Sequence, residues 1–302
     1  ACGLGQPDYA ESRERRIVAA LEALGCLMTD TCINYQIVTP PVLGEHIAFG
    51  DTGSSIFANS VCGARTNFEG GVAALWAALS GRVPRYGMHL GECRGATDWF
   101  HVDDVPTSPA AWGALGGIIG RQMGSYWQAP VITGIDGSPG ATALKFFGAA
   151  LASYGSTPLF HIVGVTPEAP TLDSVFKGTE RRHTVSKKDV EAFVSGFNTD
   201  DTGVDIVVLS APQLNLYELQ EVAGLLDGQR INADVTFIMT TPPEVARSAE
   251  RMGISQRIKA SGAQLLEGVC FYQMYSREMG EANGWRRIVT SSAKLANILG
   301  GY

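Results

Sequence analysis

Val204-Asp-Ile-Val-Val-Leu209 and Val235-Thr-Phe-Ile-Met239 are two short apolar stretches with the composition of buried β-strands. Helical composition follows each of them, over residues 214–226 and 243–252. A strand–helix–strand–helix order with non-alternating strands is typical of a mostly parallel sheet with helices on both faces. These stretches therefore predict an α/β fold made of three-layer α/β/α units with mostly parallel sheets.

Two further strand-like runs, 263–269 and 288–290, lie downstream of this pattern. Ligands of open parallel sheets bind beyond the carboxyl ends of the strands. The residues just past the predicted strands are therefore candidates for a binding site. They are Thr240-Thr241, Cys270 and Ser291-Ser292.

The first half of the chain is richer in glycine. Its composition predicts a short strand at 55–61 and a helix at 110–123 that its glycines would soften. Because the chain exceeds the size at which one core usually keeps growing, we expect two units. Residues 1–155 would form a glycine-rich α/β unit that carries Cys32 and a motif at 59–71. Residues 156–302 would form an α/β/α unit that carries Cys270 and Lys294.

The bulk composition restricts the class of protein. Of 302 residues, 45% are hydrophobic and 18% are charged, as in an ordinary globular protein with a large core. The net charge of -7 and the lack of a basic stripe argue against a nucleic-acid partner. No apolar run reaches the roughly 18 residues of a membrane span, and no signal-peptide pattern is found, so we expect no membrane partner and a cytoplasmic location. The initial Ala1 is consistent with a removed methionine or with a piece of a longer protein.

Six cysteines are present, and none forms a Cys-x-x-Cys pair. The ordinary interpretation of each is a small buried apolar residue. Cys32, Cys62 and Cys270 differ, because small and polar residues surround them. Around Cys62 these residues include Arg65, whose guanidinium suits a carboxylate held by two hydrogen bonds. The alternative is that Arg65 pairs with an acid of the protein itself.

Thr290-Ser-Ser-Ala-Lys294 places a lysine in the first turn of a predicted helix. A cation is unfavourable there with respect to the helix dipole. We therefore expect a partner outside the helix, such as a substrate carboxylate, to stabilise Lys294. The alternative is a solvated lysine.

One long and specific string is Asn59-Ser-Val-Cys-Gly-Ala-Arg-Thr-Asn-Phe-Glu-Gly-Gly71. Gly44-Glu-His-Ile-Ala48 precedes it, and Gly81-Arg-Val-Pro-Arg-Tyr-Gly-Met-His-Leu90 follows it. With Leu159-Phe-His-Ile-Val-Gly-Val-Thr-Pro-Glu-Ala169 and Thr290-Ser-Ser-Ala-Lys294, these segments resemble the catalytic large chain of the aconitase X family.

This resemblance implies an aconitase-like fold and an iron centre, either a 2Fe-2S or 4Fe-4S iron–sulfur cluster or mononuclear iron. Its ligands would be Cys32, Cys62 and Cys270. Arg65 and Lys294 would hold a substrate carboxylate, and Ser292 would be the catalytic base by analogy with aconitase, with a serine of a missing small domain as its rival. The other substrate-binding residues implied are Asp51, Thr52, Asn59, Ser60, Thr66 and Asn67.

The resemblance also implies the reaction, an iron-dependent removal of water from a small hydroxy acid by a hydro-lyase. Gly50-Asp-Thr-Gly53 favours the bacterial group that dehydrates cis-3-hydroxy-L-proline in hydroxyproline degradation, and the alternative substrate is mevalonate 5-phosphate. Alternatives of another class are a non-catalytic iron–sulfur or regulatory protein and a binding domain without metal.

Family chains are longer and pair with a small swivelling domain or subunit, so we expect this chain to be a core fragment or to have its missing parts elsewhere. The Phe-Tyr-Gln-Met segment after Cys270 departs from the family pattern.

Overall fold

The structure is a computed structural model that describes residues 3–178, 182–197 and 203–300. Its helices are α1 (Asp8–Ala23), α2 (Asn34–Ile37), α3 (Thr52–Ser60), α4 (Gly70–Ser80), α5 (Pro109–Met123), α6 (Ala141–Gly155), α7 (Leu172–Val175), α8 (Lys187–Ser195), α9 (Leu216–Leu225), α10 (Pro243–Arg251), α11 (Ile254–Ala260), α12 (Ser276–Asn283) and α13 (Ala293–Leu299). Its strands are β1 (Asp98–Val102), β2 (Pro130–Thr133), β3 (His161–Ile162), β4 (Arg182–Val185), β5 (Ile206–Leu209), β6 (Thr236–Thr241), β7 (Gln264–Glu267) and β8 (Ile288–Val289).

The chain forms two compact units. Unit 1 comprises Ala1–Ile33, Thr202–Ser291 and Ile298–Tyr302, and unit 2 comprises Asn34–Asp201 and Ser292–Asn297. Each unit contains one four-stranded sheet, in the order β7-β6-β5-β8 in unit 1 and β3-β2-β1-β4 in unit 2. All the pairings in both sheets are parallel. The predicted α/β class with mostly parallel sheets is confirmed.

The division differs from the one expected at residue 155. Strands β1 and β2 precede that residue and β3 and β4 follow it, yet all four belong to one sheet. The reason is that α6 is the crossover helix between the neighbouring parallel strands β2 and β3. Cys32 belongs to unit 1, which the second half of the chain mostly forms, and Lys294 belongs to unit 2, which the first half mostly forms.

The sheet of unit 1 follows the predicted pattern closely. Ile206 of β5 pairs with Thr236 of β6, and Leu209 pairs with Met239. Asn215 begins α9 through a capping box, in which its side chain accepts from the backbone N–H of Glu218. The carboxyl ends of β5 and β6 therefore lie at one edge of the sheet, as the sequence predicted.

The predicted strand at 55–61 is wrong, because residues 55–60 belong to helix α3 and Val61 is its C-cap. Asp51 caps the helix, since its side chain accepts a 3.0 Å hydrogen bond from the backbone N–H of Ser54. All residues from Gly53 to Ser60 are buried. A helix that is buried all round has no polar face, so its sequence shows no helical period and resembles a buried strand.

Glycines bring α5 and α6 into backbone contact instead of softening α5. A Cβ on Gly116 would overlap the carbonyl oxygen of Phe147, and one on Gly120 would lie 2.9 Å from that of Leu151. No side chain fits at these distances. The glycines in the predicted helix thus permit close packing.

Helix α4 packs little against the rest of the protein. It has no buried residue, and Val72, Trp76 and Leu79 are all at least half exposed. Despite this apolar surface, no helix within the described ranges combines the length and hydropathy that a bilayer crossing requires.

We predict that Gly116→Ala lowers the free energy of unfolding by about 2–3 kcal/mol, because the added methyl group forces α5 away from α6. Gly71→Ala is the matched control, since the space around that helical glycine is open. The control should leave stability unchanged or raise it by up to about 1 kcal/mol. Urea unfolding followed by circular dichroism measures both. Equal stability of the two variants would contradict the close-packing interpretation.

Candidate active site

The beginning of α3 carries an ion pair. Lys294 Nζ donates a 3.0 Å hydrogen bond to Asp51 Oδ2, and the two side chains are 5% and 29% exposed. Gly53 makes room for the pair, because a Cβ there would lie 3.1 Å from Asp51 Oδ1 and 3.5 Å from Lys294 Nζ. The Gly50-Asp-Thr-Gly53 segment is therefore shaped around this contact.

Asp51 is held in its ionised form. Burial raises the pKa of Asp51, but the charge and hydrogen bond of Lys294 and the hydrogen bonds from Ser54 outweigh it, so that the pKa lies below the ordinary value. Lys294 was predicted to have a partner outside its helix, and this is confirmed. That partner is a carboxylate of the protein, and Lys294 is buried, not solvated.

Ser292 lies just before α13 and is 3% exposed. Its Oγ accepts a 3.1 Å hydrogen bond from the backbone N–H of Leu295. This is the geometry of a helix N-cap. Its role as the catalytic base stays a prediction.

Two extended segments, 44–49 and 63–69, run side by side next to α3. Backbone hydrogen bonds join Gly44 N–H to the carbonyl of Gly63, Arg65 N–H to that of Glu45, and Glu69 N–H to that of Phe49. This pairing places His46 beside Arg65 in a parallel bridge. Groups that are 19 residues apart in sequence thus become neighbours.

Asn59 has internal partners on every polar atom of its side chain. Its Nδ2 donates to the carbonyls of Thr66 and Pro158 at 2.8 and 2.9 Å. Its Oδ1 accepts from the backbone N–H of Thr66 and from Arg94 Nη1. The contacts that the structure shows for Asn59 therefore hold the motif together.

Ser60, Thr66 and Asn67 are also almost fully buried. Ser60 Oγ accepts from the backbone N–H of Phe160, and Thr66 Oγ1 accepts from that of Phe49. Asn67 Oδ1 accepts from the backbone N–H of Met88 at 2.8 Å. Thr52 is half-buried in the first turn of α3. A direct substrate contact by these residues stays a prediction.

Arg94 was not identified from the sequence, although it lies at the centre of this network. It is 4% exposed and forms a 2.6 Å ion pair with Glu168. Its Nη2 also donates to the carbonyl of Asn59, and Nη1 to that of Met88. Glu168 falls in the 159–169 segment of the family resemblance, which is the only sequence signal for this pair.

Arg65 is half-buried, and its Nη1 donates a 2.9 Å hydrogen bond to the carbonyl of His89. Over the described ranges of the chain, no carboxylate lies within the 4.0 Å of an ion pair with its guanidinium. The alternative of an internal acid is therefore not seen. Gly91, which has no side chain, lies next to the guanidinium, so the charge of Arg65 suits an external carboxylate.

Two histidines and a glutamate, also missed, lie beside Arg65. His46 Nδ1 and His89 Nδ1 are 2.9 Å apart, and the two rings are stacked. His89 Nε2 lies 3.3 Å from Glu69 Oε1. Burial lowers the pKa of His89, the carboxylate of Glu69 opposes this, and the charges of His46 and Arg94 add to the lowering. The net result is a His89 pKa below the ordinary value.

In unit 1, Gln213 joins the loops of two of the predicted metal ligands. Its Oε1 accepts from the backbone N–H of Cys32 at 3.0 Å, and its Nε2 donates to the carbonyl of Val269, next to Cys270, at 3.1 Å. The backbone N–H of Gln213 in turn donates to Cys32 Sγ at 3.3 Å. Gln213 is 2% exposed, so this bridge is protected from water.

The Cys270 loop is fixed at the carboxyl ends of the strands. Ser210, after β5, accepts from Thr240 Oγ1 of β6 at 2.7 Å and from the backbone N–H of Phe271 at 3.2 Å. Gly268 has a φ of 69°, and a Cβ there would lie 2.9 Å from Asp30 Cβ. Only glycine lets this loop approach the Cys32 loop. The predicted position of Cys270 beyond a strand end is confirmed.

Cys62 lies in unit 2, two residues after α3, and is half-buried. Burial raises the pKa of its thiol to about 11, so a metal ion would have to displace its proton. Among the described residues, no three histidine, cysteine, aspartate or glutamate side chains converge on a common metal position. The ligand set of Cys32, Cys62 and Cys270 therefore stays a prediction.

Comparison with known families extends the sequence resemblance over nearly the whole chain. The family models for the aconitase X first, second and third domains match residues 3–92, 96–195 and 204–302. The resemblance stated from the sequence is confirmed by these matches.

Characterised relatives fall into two groups. The phosphomevalonate dehydratase large subunit of Methanothermobacter thermautotrophicus is 35% identical over 99% of this chain, which spans 72% of that protein. The cis-3-hydroxy-L-proline dehydratase of Pseudomonas aeruginosa is 33% identical over 99% of the chain, which spans 50% of that protein. Since both are dehydratases, the expected class of hydro-lyase is confirmed.

A solved structure supports the fold. The holo-form of Thermococcus kodakaraensis aconitase X superimposes with a TM-score of 0.87 at 29% identity, covering 98% of this chain and 74% of that one. The prediction of aconitase-like units is thereby confirmed.

We predict that Asp51→Asn lowers the free energy of unfolding at pH 7 by about 2 kcal/mol, because it removes the carboxylate that pairs with the buried ammonium group of Lys294. The pKa of Asp51 is lower in the folded than in the unfolded protein, so the stabilisation is complete above the unfolded pKa, about 4, and is lost as the pH falls through the folded pKa. The difference from wild type should therefore be constant down to about pH 5 and shrink below about pH 4.

Urea unfolding at a series of pH values measures this difference. The double variant Asp51→Asn, Lys294→Met should recover most of the loss, since no buried charge remains. Glu11→Gln, which removes the exposed pair with Arg15, is the control that should have no measurable effect. A pH-independent difference would contradict the assignment of an ionised Asp51.

Proposed function

Because the chain belongs to the aconitase X family, we propose that it is the catalytic chain of a dehydratase acting on cis-3-hydroxy-L-proline. The reaction removes water across the C2–C3 bond and gives a pyrroline-2-carboxylate. The observation that carries this choice of substrate is the Asp51–Lys294 ion pair, a charge of each sign at the beginning of the buried helix α3.

The charges of this pair complement an imino acid, whose carboxylate and secondary ammonium are held on neighbouring atoms. Asp51 is 29% exposed, so a ligand can approach it. The ammonium would pair with Asp51 and the carboxylate with Lys294, which leaves no buried charge unpaired. A phosphorylated hydroxy acid carries only negative charges, and these would repel the carboxylate of Asp51. The pair therefore supports the hydroxyproline substrate.

Arg65 is the second candidate for the substrate carboxylate. Removing the C2 proton increases negative charge on the neighbouring carboxylate, and fixed cations that face this charge lower the barrier. Arg65 and Lys294 would act in this way, with the hydroxyl of Thr52 beside Asp51 as a further substrate contact. Four other residues would contribute indirectly, because their hydrogen bonds hold the motif at 59–71 in place. They are Asn59, Ser60, Thr66 and Asn67.

Cys32, Cys62 and Cys270 are the residues that would hold iron or an iron–sulfur cluster. The fit is supported in unit 1, where Gln213 joins the two cysteine loops and its N–H donates to Cys32 Sγ. Hydrogen bonds to sulfur stabilise the negative charge of a ligating thiolate. When bound, the iron would supply a Lewis acid that polarises the substrate hydroxyl.

Mevalonate 5-phosphate is the second candidate substrate. It is favoured by the 35% identity with the phosphomevalonate dehydratase large subunit of Methanothermobacter thermautotrophicus. Both substrates lose a hydroxyl group and a proton from the carbon next to the carboxylate. The two candidates differ in the phosphate and in the ammonium group.

A small subunit or domain is the proposed protein partner. The archaeal relative is named a large subunit, and the chain spans half the length of the Pseudomonas aeruginosa relative. We propose that a separate or fused small part contributes to the complete enzyme.

We predict turnover of cis-3-hydroxy-L-proline and little or none of mevalonate 5-phosphate when the two are assayed side by side. The protein should be purified without oxygen, with its small partner present. Asp51→Asn should reduce kcat/KM for the imino acid by about 100-fold, since its ammonium loses a charged partner. Preference for mevalonate 5-phosphate would overturn the hydroxyproline proposal, and activity on neither would favour a non-catalytic protein.

We predict that serine variants of Cys32, Cys62 and Cys270 lose bound iron and activity together. Cys26→Ser in unit 1 and Cys93→Ser in unit 2 are the controls, since Cys26 follows α1 and Cys93 packs in an apolar cluster with Met88 and Leu159. Iron, acid-labile sulfide and the absorption spectrum are the measurements. Normal iron content and turnover in Cys62→Ser would remove Cys62 from the ligand set.

A further inference from the structure

His46, His89 and Glu69 form a continuous chain of titratable groups that none of the proposed roles uses. Nδ1 atoms of the two rings lie 2.9 Å apart, and Nε2 of His89 lies 3.3 Å from Glu69 Oε1. His46 is exposed, whereas His89 and Glu69 side chains are 2% and 4% exposed. The chain therefore leads from the protein surface into the interior.

The hydrogen bonds define which nitrogen carries each proton. A carboxylate only accepts, so His89 Nε2 carries a hydrogen that it donates to Glu69. Nδ1 of a neutral His89 is then an acceptor, and His46 Nδ1 must be the donor in the 2.9 Å contact. This leaves Nε2 of the exposed His46 with a free lone pair, as in a general base.

His89 is neutral at neutral pH, as this arrangement requires. Its burial lowers its pKa, against the opposing effect of Glu69. Glu69 Oε1 also accepts from the backbone N–H of Asn67, which fixes the carboxylate at the interior end of the chain.

The cations around the chain place it beside the proposed carboxylate site. Arg65 donates to the carbonyl of His89 and is the bridge partner of His46. The charge of Arg94 also acts on His89, and Glu168 neutralises this arginine. A carboxylate bound by Arg65 would therefore have the carbon next to it close to His46.

We propose that His46 is the general base of the dehydration, with His89 and Glu69 as the residues that position it and stabilise its protonated form. The assignment rests on the proposed dehydratase function. It competes with Ser292, whose buried hydroxyl caps α13.

The proton transfer balances within the substrate and this one ring. His46 Nε2 takes the proton from the carbon next to the carboxylate, and the electron pair of that C–H bond forms the carbon–carbon double bond. The C–O bond breaks, and its electron pair leaves with the hydroxyl group. The proton on Nε2 then passes to this oxygen, which releases water and restores neutral His46.

The test is the kinetics of His46→Gln in the holoenzyme with its small partner. We expect kcat to fall by about 100-fold or more with little change in KM, and exchange of the C2 proton with deuterated solvent to stop. The acidic limb of the kcat–pH profile should disappear, as expected when a general base is replaced by an amide. His101→Gln, a change at a part-exposed histidine of β1, is the control that should keep wild-type kinetics.

Glu69→Gln tests the positioning role. It keeps a hydrogen-bond acceptor but removes the charge that favours a protonated imidazole, so the acidic limb should move to lower pH with a fall in kcat of about 10-fold. A merely structural role of Glu69 would lower stability and leave the limb in place. Nitrogen-15 NMR should show the hydrogen on Nδ1 of His46 and on Nε2 of His89.

The outcomes separate the two proposals. Wild-type protein that is inactive on both hydroxy acids overturns the dehydratase function and the base assignment together. An active wild type with unchanged kinetics and C2 exchange in His46→Gln overturns the base assignment alone. A His46 ring with its hydrogen on Nε2 would likewise contradict it.

Discussion

Burying helix α3 on every side is the constraint on which the rest of unit 2 depends. Polar groups that are removed from water need internal partners, since each unsatisfied one costs free energy. Asn59 at the end of the helix and Arg94 beside it supply several of these partners, and Glu168 neutralises the arginine. Asp51 caps the beginning of the same helix. The hydrogen bonds that satisfy the buried atoms of α3 therefore also fix the position of the Asp51–Lys294 ion pair.

Three cations of unit 2 differ in their partners. Lys294 and Arg94 are buried and have carboxylate partners in Asp51 and Glu168, as charges in an interior require. Arg65 is half-buried, and its guanidinium donates to the carbonyl of His89 and has no carboxylate partner among the described residues. Its positive charge is therefore suited to an anionic ligand, and the histidine chain lies next to it.

The sequence predicted the strands of unit 1 well, because β5 and β6 are short apolar runs with clear helix starts after them. It failed at α3, where complete burial removes the polar–apolar period that distinguishes a helix from a strand. It also misread the glycines of α5, since their purpose depends on a second helix that is distant in sequence.

Only part of the site was predicted, because its residues are also brought together from distant parts of the sequence. An unfavourable cation in a first turn identified Lys294 from local rules, but its partner Asp51 lies 243 residues away and could not be inferred. His46 and His89 fall in segments that carried the family resemblance, yet their 43-residue separation hid their contact. Local chemistry can be deduced from composition, whereas pairings across the fold need the fold itself.

The contact between α5 and α6 determines where this protein can tolerate genetic change. Every missense change in a glycine codon adds at least a methyl group, and at 116 and 120 that group would meet the backbone of α6. Helix α6 also supports α3, since the Cβ of Ala149 lies 3.7 Å from the position of a Cβ on Gly53. A displaced α6 would thus disturb the neighbourhood of Asp51. In a library screened for lost activity, codons 116 and 120 should be recovered alongside those of the site, because both glycines face the backbone of α6.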